Sequence, residues 1–188
     1  MSSAKVHRLP VQTKRSNPTA VEPPLTQRVA LVSGANRGIG LEVAKQLASL
    51  GVTVFMGMRQ LGKGEKALKA VRDMGGDAYA VKLDVTRTAD IEAAIANIDG
   101  RFGRLDILVN NAGGYFDHDA RVSKPDLQAI RGAFDTNLLG AWCLTAAALP
   151  LMRRHGYGRV VNVSSECAVS NMCGETAPAY RISKAALN

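Results

Sequence analysis

The sequence contains few of the features that would indicate a membrane, secreted or metal-binding protein. No apolar run within its 188 residues is long enough to cross a bilayer. No charged segment followed by an apolar one opens the chain, so secretion is not expected. The three cysteines, Cys143, Cys167 and Cys173, lie at spacings that match no metal-ligand pattern, and we predict no metal site. An odd number of cysteines without a secretion signal predicts reduced thiols and a cytoplasmic location.

Aromatic residues make up only 5% of the chain, and this low content bears on whether its positive charge binds nucleic acid. A net charge of +8 is compatible with nucleic acid or an anionic membrane surface. Nucleic-acid binders, however, usually interleave aromatic and basic side chains, and that pattern is missing. Much of the positive charge is scattered among acidic residues, so we predict neither a nucleic-acid nor a membrane partner.

Residues 1–27 lack hydrophobic periodicity and are rich in Ser, Thr, Pro and basic side chains. This composition predicts a disordered basic leader. An organelle transit peptide is the alternative, because basic and hydroxyl residues dominate its first part. We therefore assign residues 28–188 to one folded domain.

From residue 28 onward, short β-rich runs alternate with segments of helical periodicity. Strands of a parallel sheet, joined by right-handed helical crossovers, are the expected result, with helices on both faces. The sequence therefore predicts a three-layer, doubly wound α/β fold of the Rossmann-like type. The predicted strands are 28–34, 52–57, 78–85, 105–114 and 158–165, and the predicted helices are about 39–50, 63–76, 88–103 and, broken once, 125–155.

The segment SGANRGIG (33–40) separates the first predicted strand from the first predicted helix. Its glycines, Gly34, Gly38 and Gly40, permit a tight turn and let backbone N–H groups approach a phosphate. The following helix directs its positive N-terminus at the same anion. A glycine-rich turn without a ligand is the alternative, but the strand-to-helix context favours phosphate binding.

The end of the second predicted strand indicates which dinucleotide is bound. NAD sites usually carry an acid there for the ribose hydroxyls, whereas this strand ends in GMRQ (57–60). Arg59 offers a guanidinium suited to a 2′-phosphate, and Arg37 in the glycine loop offers a second charge. We therefore predict NADP(H) in preference to NAD(H). Asp84, after the third strand, is predicted to accept from the adenine amino group, or alternatively to cap the following helix.

Six motifs, in this order, resemble those of the short-chain dehydrogenase/reductase family over residues 28–188. They are SGANRGIG, LDVT (83–86), NNAG (110–113), NLLG (137–140), VNVSS (161–165) and YRISK (180–184). The pair Arg37 and Arg59 is similar to that of the carbonyl-reductase-like members that use NADPH. The resemblance implies an NADP-binding domain that reduces a small carbonyl compound, or oxidises the alcohol, and usually forms a homo-oligomer.

The resemblance also implies the residues of the site. In the family the tyrosine is the general acid or base, and the lysine lowers the tyrosine pKa and holds the nicotinamide ribose. The serine polarises the carbonyl, and the asparagine shapes a helix and positions a relay water. The implied catalytic residues are Asn137, Ser165, Tyr180 and Lys184. The implied cofactor-binding residues are Gly34, Asn36, Arg37, Gly38, Ile39, Gly40, Arg59, Asp84, Val85, Asn111, Ala112, Gly113, Tyr180 and Lys184.

The spacing of Tyr180 and Lys184 suits this chemistry. Residues four apart lie on one helix face, one turn from each other. A phenol has a pKa of about 10, and a nearby ammonium or nicotinamide cation favours the phenolate. A lone Tyr-x-x-x-Lys pair is common on helix surfaces, so the prediction depends on its combination with the glycine loop.

The sequence departs from the family pattern in several places. Ser33 replaces the usual threonine, and because the hydroxyl is kept we expect little effect. The segment between Ser165 and Tyr180 is slightly long, which predicts a variant wall of the substrate pocket, with Pro178 starting the catalytic helix. Ser164 is a weaker alternative to Ser165.

The chain ends four residues after Lys184, where family members usually continue with further strands. We therefore expect a C-terminally incomplete domain whose fifth strand is an exposed edge and whose family-type dimer interface is impaired. Three functions stay open on this basis. They are an NADPH-dependent oxidoreductase, a non-catalytic cofactor-binding remnant of one, and a protein that uses residues 1–27 to bind an anionic surface.

Overall fold

The computed structural model describes residues 22–114, 117, 120–169 and 177–188. Over these residues the chain forms one five-stranded parallel sheet with the strand order β3-β2-β1-β4-β5. The order reverses beside β1, as in a doubly wound sheet, which confirms the predicted fold class. The strands are β1 (Val29–Ser33), β2 (Thr53–Met58), β3 (Ala78–Lys82), β4 (Ile107–Asn110) and β5 (Arg159–Asn162).

Helices cover both faces of this sheet. A π-helical turn at Asp135–Leu139 joins α4 to α5, and it is the single break predicted for the long helix. Pro178 begins α6, as predicted, because its missing N–H is no loss at the first helical position. The helices are α1 (Gly38–Ser49), α2 (Glu65–Arg72), α3 (Thr88–Phe102), α4 (Leu127–Phe134), α5 (Gly140–Arg154) and α6 (Pro178–Leu187).

Alternate residues of each strand enter two separate cores. On β1, Val29 and Leu31 belong to the core under α3 and α5, whereas Ala30 and Val32 belong to the core under α1 and α2. All five residues of β1 are buried. A strand covered on both faces is expected to be apolar throughout, which is why β1 reads as a continuous apolar run.

The face that α1 buries is not formed by the large apolar residues that recur at helical spacing in the sequence, which are Ile39, Val43, Leu47 and Leu50. Small residues face the sheet (Gly40, Ala44 and Ala48), whereas Ile39 is 64% exposed and Leu50 is 55% exposed. Small side chains let the helix approach the sheet closely, and the larger ones are displaced to its flanks. The helix predicted from this spacing is present, but its buried face consists of the small residues.

Strand β5 pairs with β4, and it forms one edge of the sheet over the described residues. Its four residues are exposed, and Val160 and Val161 expose 41% and 49% of their surface. This confirms the predicted exposed edge, and unpaired apolar edges of this kind favour association with other strands.

Part of the segment predicted as a leader contacts the domain. Leu25–Gln27 form a 3₁₀ turn, and Glu22 accepts a hydrogen bond from the Tyr157 hydroxyl at 2.8 Å. Glu22 also pairs with Arg28 at 3.2 Å. The predicted boundary after residue 27 falls inside this contact. Residues 1–21 lie outside the described residues, so the disordered leader stays a prediction there.

The cysteines, the helices and the possible metal ligands bear on the features expected from the sequence. Cys143 is a free and exposed thiol, whereas Cys167 is disulfide-bonded, so the prediction of reduced thiols is wrong for Cys167. Among the described residues, no helix has both the length and the apolar character needed to span a membrane. Within the same part of the chain, no group of His, Cys, Asp and Glu side chains is arranged to hold a metal ion.

Candidate active site

The predicted site residues gather at the carboxyl edge of the sheet, around the ends of β1 and β4. This is where the strand order reverses, and such crevices are the usual ligand sites of open α/β sheets. Ser33 connects the two strands through its hydroxyl, which donates to the Val109 carbonyl at 3.2 Å. The same oxygen accepts from the N–H groups of Asn111 and Ala112, both at 3.0 Å. The hydroxyl kept at position 33 therefore fixes the start of the segment 111–114.

The Asn111 side chain stabilises the glycine loop through hydrogen bonds to its backbone. Its amide nitrogen donates to the carbonyls of Ser33 at 2.9 Å and Gly34 at 3.2 Å. These bonds hold the turn that precedes α1, so Asn111 determines the shape of the glycine loop. Ala112 and Gly113 continue this segment toward α6.

The glycines of the loop are required for two different reasons. Gly38 has φ +56° and nothing within 4 Å of a hypothetical Cβ, which leaves its backbone open to a ligand. At Gly40 a Cβ would collide with Asn111 Nδ2 and would lie 2.7 Å from the Gly34 carbonyl oxygen. A side chain at position 40 would therefore displace the loop itself, whereas Gly38 supplies a left-handed turn.

Replacing Gly40 with alanine is expected to destabilise the domain by about 1–3 kcal/mol, because the methyl group overpacks against backbone. NADPH affinity should fall by about tenfold or more as the loop shifts, since the loss of one charge-assisted hydrogen bond is already worth that much. Gly100→Ala is the matched control, because it lies inside α3 with nothing within 4 Å and should stabilise the helix by about 1 kcal/mol. Thermal denaturation and a fluorescence titration with NADPH measure both effects. Equal NADPH affinity in the two variants would contradict the prediction.

A cavity of about 470 Å³ beside the glycine loop brings the predicted specificity residues together. It is lined by Asn36, Arg37, Arg59, Gln60, Lys63 and Asp84. Lys63 and Gln60 were not predicted. Lys63 stands in the 3₁₀ turn Gly62–Gly64, where the sequence alone reads as the start of a helix. Three cationic side chains around one cavity are suited to a phosphate group.

Asp84 lies two residues after β3 and lines this cavity. Its Oδ1 accepts from the Thr86 N–H at 3.1 Å and from the Thr86 hydroxyl at 2.8 Å. The carboxylate therefore shapes the turn before α3 as well as facing the cavity. Val85 is buried and packs closely on the π-helical turn's end, where a Cβ on Gly140 would lie 2.7 Å from its Cγ2. Ile39, by contrast, is exposed on the first turn of α1.

Asn137 occupies the π-helical turn and is 1% exposed. Its Oδ1 accepts from the Gly114 N–H at 2.9 Å, and its Nδ2 donates to the Gly114 carbonyl at 3.1 Å. The same nitrogen donates to the Ser183 hydroxyl at 2.9 Å, and Ser183 donates to the Tyr180 carbonyl at 2.8 Å. Asn137 thus ties the segment after β4 to the helix that carries Tyr180. Ser183, which completes this link, was not predicted.

Lys184 is 4% exposed and lies one turn after Tyr180 on α6. Its Nζ donates to the Val163 carbonyl at 2.7 Å. Burial lowers the pKa of Lys184 below its ordinary value, because a buried ammonium loses its hydration. A Cβ on Gly113 would lie 3.3 Å from this Nζ and 3.1 Å from Asn137 Oδ1, so the glycine lets the segment pass between them.

Ser165 begins the 3₁₀ turn Glu166–Ala168, and its hydroxyl oxygen accepts from the Cys167 N–H at 3.3 Å. This bond leaves the hydroxyl proton available for another acceptor. Ser164, in contrast, uses its hydroxyl to donate to the Lys184 carbonyl at 3.4 Å. The geometry therefore favours Ser165 over Ser164 for a polarising role. Residues 170–176 of the predicted variant wall lie outside the described residues.

Together these features place a glycine loop, a basic cavity and a buried lysine at the carboxyl ends of the strands of a parallel α/β sheet. The family model described as short chain dehydrogenase matches residues 28–188. The chain therefore belongs to the short-chain dehydrogenase family, which confirms the resemblance found in the sequence.

Known proteins of the family support the same assignment. The chain is 36% identical over 141 residues to a ketoacyl reductase from Nostoc sp., covering 75% of this chain and 48% of that protein. It is 35% identical over 163 residues to a 3-oxoacyl-(acyl-carrier-protein) reductase from Synechocystis sp., covering 86% and 64%. A metagenomic short-chain oxidoreductase crystallised in complex with NADP superposes with a TM-score of 0.80 at 30% identity, covering 88% and 74%. The chain spans about half to two thirds of the length of these two curated reductases.

Proposed function

We propose that the protein is an NADP(H)-dependent oxidoreductase that transfers a hydride between the nicotinamide and a carbonyl or alcohol substrate. The observation that carries the proposal is the basic cavity beside the glycine loop, at the same sheet edge as the buried Lys184. Membership of the short-chain dehydrogenase family supports the reaction class. The finer statements, on the cofactor and on the catalytic residues, are argued from the chain's own side chains.

The proposed preference for NADP(H) rests on charge. Arg37, Arg59 and Lys63 line one cavity, and Asp84 is the one carboxylate among the described residues of its lining. A 2′-phosphate would gain charge-assisted hydrogen bonds from these three cations, whereas a free ribose hydroxyl could use only the Asp84 carboxylate among the described lining residues. The glycine loop also fits the pyrophosphate of the same cofactor. Gly34 and Gly40 leave no room for a side chain, and the backbone of Gly38 is open to a ligand.

In the proposed mechanism, NADPH supplies the hydride when bound, and the protein's side chains bind, polarise and move a proton. Lys184 would hold the nicotinamide ribose and favour the phenolate of Tyr180 through its positive charge. Tyr180 would give its phenolic proton to the developing alkoxide, and would take that proton back in the oxidation direction. The Ser165 hydroxyl would donate to the same oxygen and stabilise its negative charge.

The substrate class is proposed from chemistry that two relatives share. The Nostoc protein is named a ketoacyl reductase, and the Synechocystis protein a 3-oxoacyl-(acyl-carrier-protein) reductase. A β-keto ester such as ethyl acetoacetate carries the same activated ketone in a small molecule, and it is the first substrate to test. Binding of NADPH without reduction of any carbonyl compound would instead support the alternative of a non-catalytic cofactor-binding protein.

Replacing Arg37 and Arg59 together with alanine is expected to weaken NADPH binding by about tenfold or more, because two charge-assisted bonds to phosphate are lost. NADH binding should be unchanged, so the preference between the cofactors should largely disappear. Fluorescence titration with each reduced cofactor measures the dissociation constants, and NADPH-dependent reduction of ethyl acetoacetate is followed in parallel. Arg153→Ala, at the exposed end of α5, is the control for loss of positive charge. Equal affinity of the unaltered protein for NADPH and NADH would overturn the proposed cofactor preference.

A further inference from the structure

A buried carboxylate that is distant in sequence from α6 binds the first turn of this helix, which carries Tyr180. Asp117 is 5% exposed. A charged side chain is rarely buried to this extent unless it has hydrogen-bond partners. Its Oδ2 accepts from the Ala179 N–H at 2.6 Å, and its Oδ1 accepts from the Tyr180 N–H at 3.2 Å. The two oxygens thus bind two successive backbone donors, and one of these donors belongs to Tyr180 itself.

The residue directly before α6 cannot satisfy these donors with its side chain. The first N–H groups of a helix have no partner within it and are usually capped by the residue before the helix. Here that residue is Ala177, whose side chain has no acceptor. Pro178 has no N–H, and the Arg181 N–H bonds to the Ala177 carbonyl at 3.1 Å. The two remaining donors of the first turn, at 179 and 180, are those that Asp117 accepts from.

The backbone at the entry to α6 also depends on support from outside. Ala177 has φ 54°, and it is the one non-glycine residue with a positive φ among those described. Such a conformation persists where the surrounding structure determines it. Ala177 is completely buried, and the next two N–H groups of the chain are fixed by the Asp117 carboxylate. The contact therefore sets both the position at which α6 begins and its rotation about its axis.

We propose that Asp117 is a positioning residue for the reaction, which it serves by fixing the first turn of α6 and hence the phenol of Tyr180. The inference rests on the proposed function, in which Tyr180 transfers the proton. Tyr180 is then held at both of its peptide groups, by Asp117 at the N–H and by Ser183 at the carbonyl. Proton and hydride transfer tolerate only small displacements, so a rotation of this turn would affect turnover more than cofactor binding.

The test compares two aspartates that cap helices with the same chemistry. Asp126 caps α4 by accepting from the N–H groups of Gln128 at 2.9 Å and Ala129 at 3.1 Å. Asp117→Ala is expected to lower kcat for NADPH-dependent reduction of ethyl acetoacetate by about 100-fold at a temperature where the protein is folded. The dissociation constant for NADPH should not change. Asp126→Ala should keep the original kcat, and Asp117→Asn, which retains one acceptor oxygen, should restore part of the lost activity.

A second readout separates this inference from the proposed function. Amide hydrogen exchange of the peptide 178–184 should accelerate in Asp117→Ala and stay unchanged in Asp126→Ala, whether or not the protein turns over. If the unaltered protein reduces no carbonyl, the proposed function fails, and exchange alone decides whether Asp117 holds Tyr180. Unchanged exchange, or an unchanged kcat in the folded Asp117→Ala variant of an active protein, would overturn the inference. If Asp117→Ala does not fold, Asp117→Asn carries both measurements.

Discussion

Replacing Tyr180 with phenylalanine is expected to lower kcat for carbonyl reduction by about 10²–10⁴-fold, the usual contribution of a general acid or base. The ring remains, so α6 should keep its packing, and the substitution removes the hydroxyl that is proposed to exchange a proton with the substrate oxygen. Cofactor affinity should change little, since the basic cavity and the glycine loop lie on other elements. Steady-state reduction of ethyl acetoacetate with NADPH, beside a fluorescence titration, measures the two effects separately.

Tyr157→Phe removes a hydroxyl of the same kind at a different place and serves as the control. The Tyr157 hydroxyl donates to Glu22 at 2.8 Å and accepts from Arg28 at 2.9 Å, near the opposite edge of the sheet. Its loss should reduce stability by about 1 kcal/mol, the net value of an ordinary hydrogen bond, and leave kcat unchanged. Undiminished turnover in Tyr180→Phe would remove Tyr180 from the proposed mechanism. Equal losses of activity in both variants would indicate a general effect of removing a tyrosine hydroxyl.

The fold could be predicted because each strand of the sheet leaves a local signal. Strand β1 is apolar throughout because it is covered on both faces, and a glycine follows it where the chain must turn. The helix periodicity of α3, with Gly103 in a left-handed conformation at its end, is equally local. The helix α1 was also predicted, but its buried face could not be, since the large residues Ile39 and Leu50 are exposed. The choice of small residues for its buried face depends on how closely the helix approaches the sheet, which no single segment encodes.

The site was predicted from its motifs, whereas its supporting contacts were not. Gly34, Arg37 and Arg59 stand in recognisable local contexts. Asp117 and Ser183, by contrast, are ordinary polar residues in the sequence, and their importance comes from partners such as Asn137 and the first turn of α6. Residues 117 and 179 are 62 positions apart. Contacts of that range follow from the folded topology, so the sequence gives no separate signal for them.

A large effect on stability is expected from substitution of Asp106, which lies at the amino ends of the strands, opposite to the candidate site. This carboxylate is fully buried and lies directly before β4. Its Oδ2 accepts from the Val29 N–H and from Arg104 Nε, both at 2.8 Å, and its Oδ1 accepts from Arg104 Nη2 at 2.8 Å. The bonding to Asp106 raises the pKa of Arg104. Asp106 therefore joins the first residue of β1 to the start of β4 through a fork of charged hydrogen bonds.

Replacing Asp106 with alanine is expected to lower the free energy of unfolding by about 3 kcal/mol, because a buried donor at Val29 and a partly buried guanidinium lose their acceptor. The estimate stands at the lower end for a broken buried pair, since Arg104 keeps 22% of its side chain exposed. Urea unfolding followed by circular dichroism measures the change. Asp73→Ala is the control, because Asp73 pairs with Lys69 on an exposed helix face and should cost less than about 1 kcal/mol.

The location of Asp106 separates this loss of stability from function. It lies at the amino end of β4, whereas Asn111 and the glycine loop lie at the carboxyl end. Folded Asp106→Ala protein should therefore bind NADPH as the unaltered protein does. A loss of less than 1 kcal/mol would show that water replaces the lost acceptor at Val29 and Arg104. A loss of NADPH affinity without a loss of stability would instead mean that the amino and carboxyl ends of the sheet are coupled through β4.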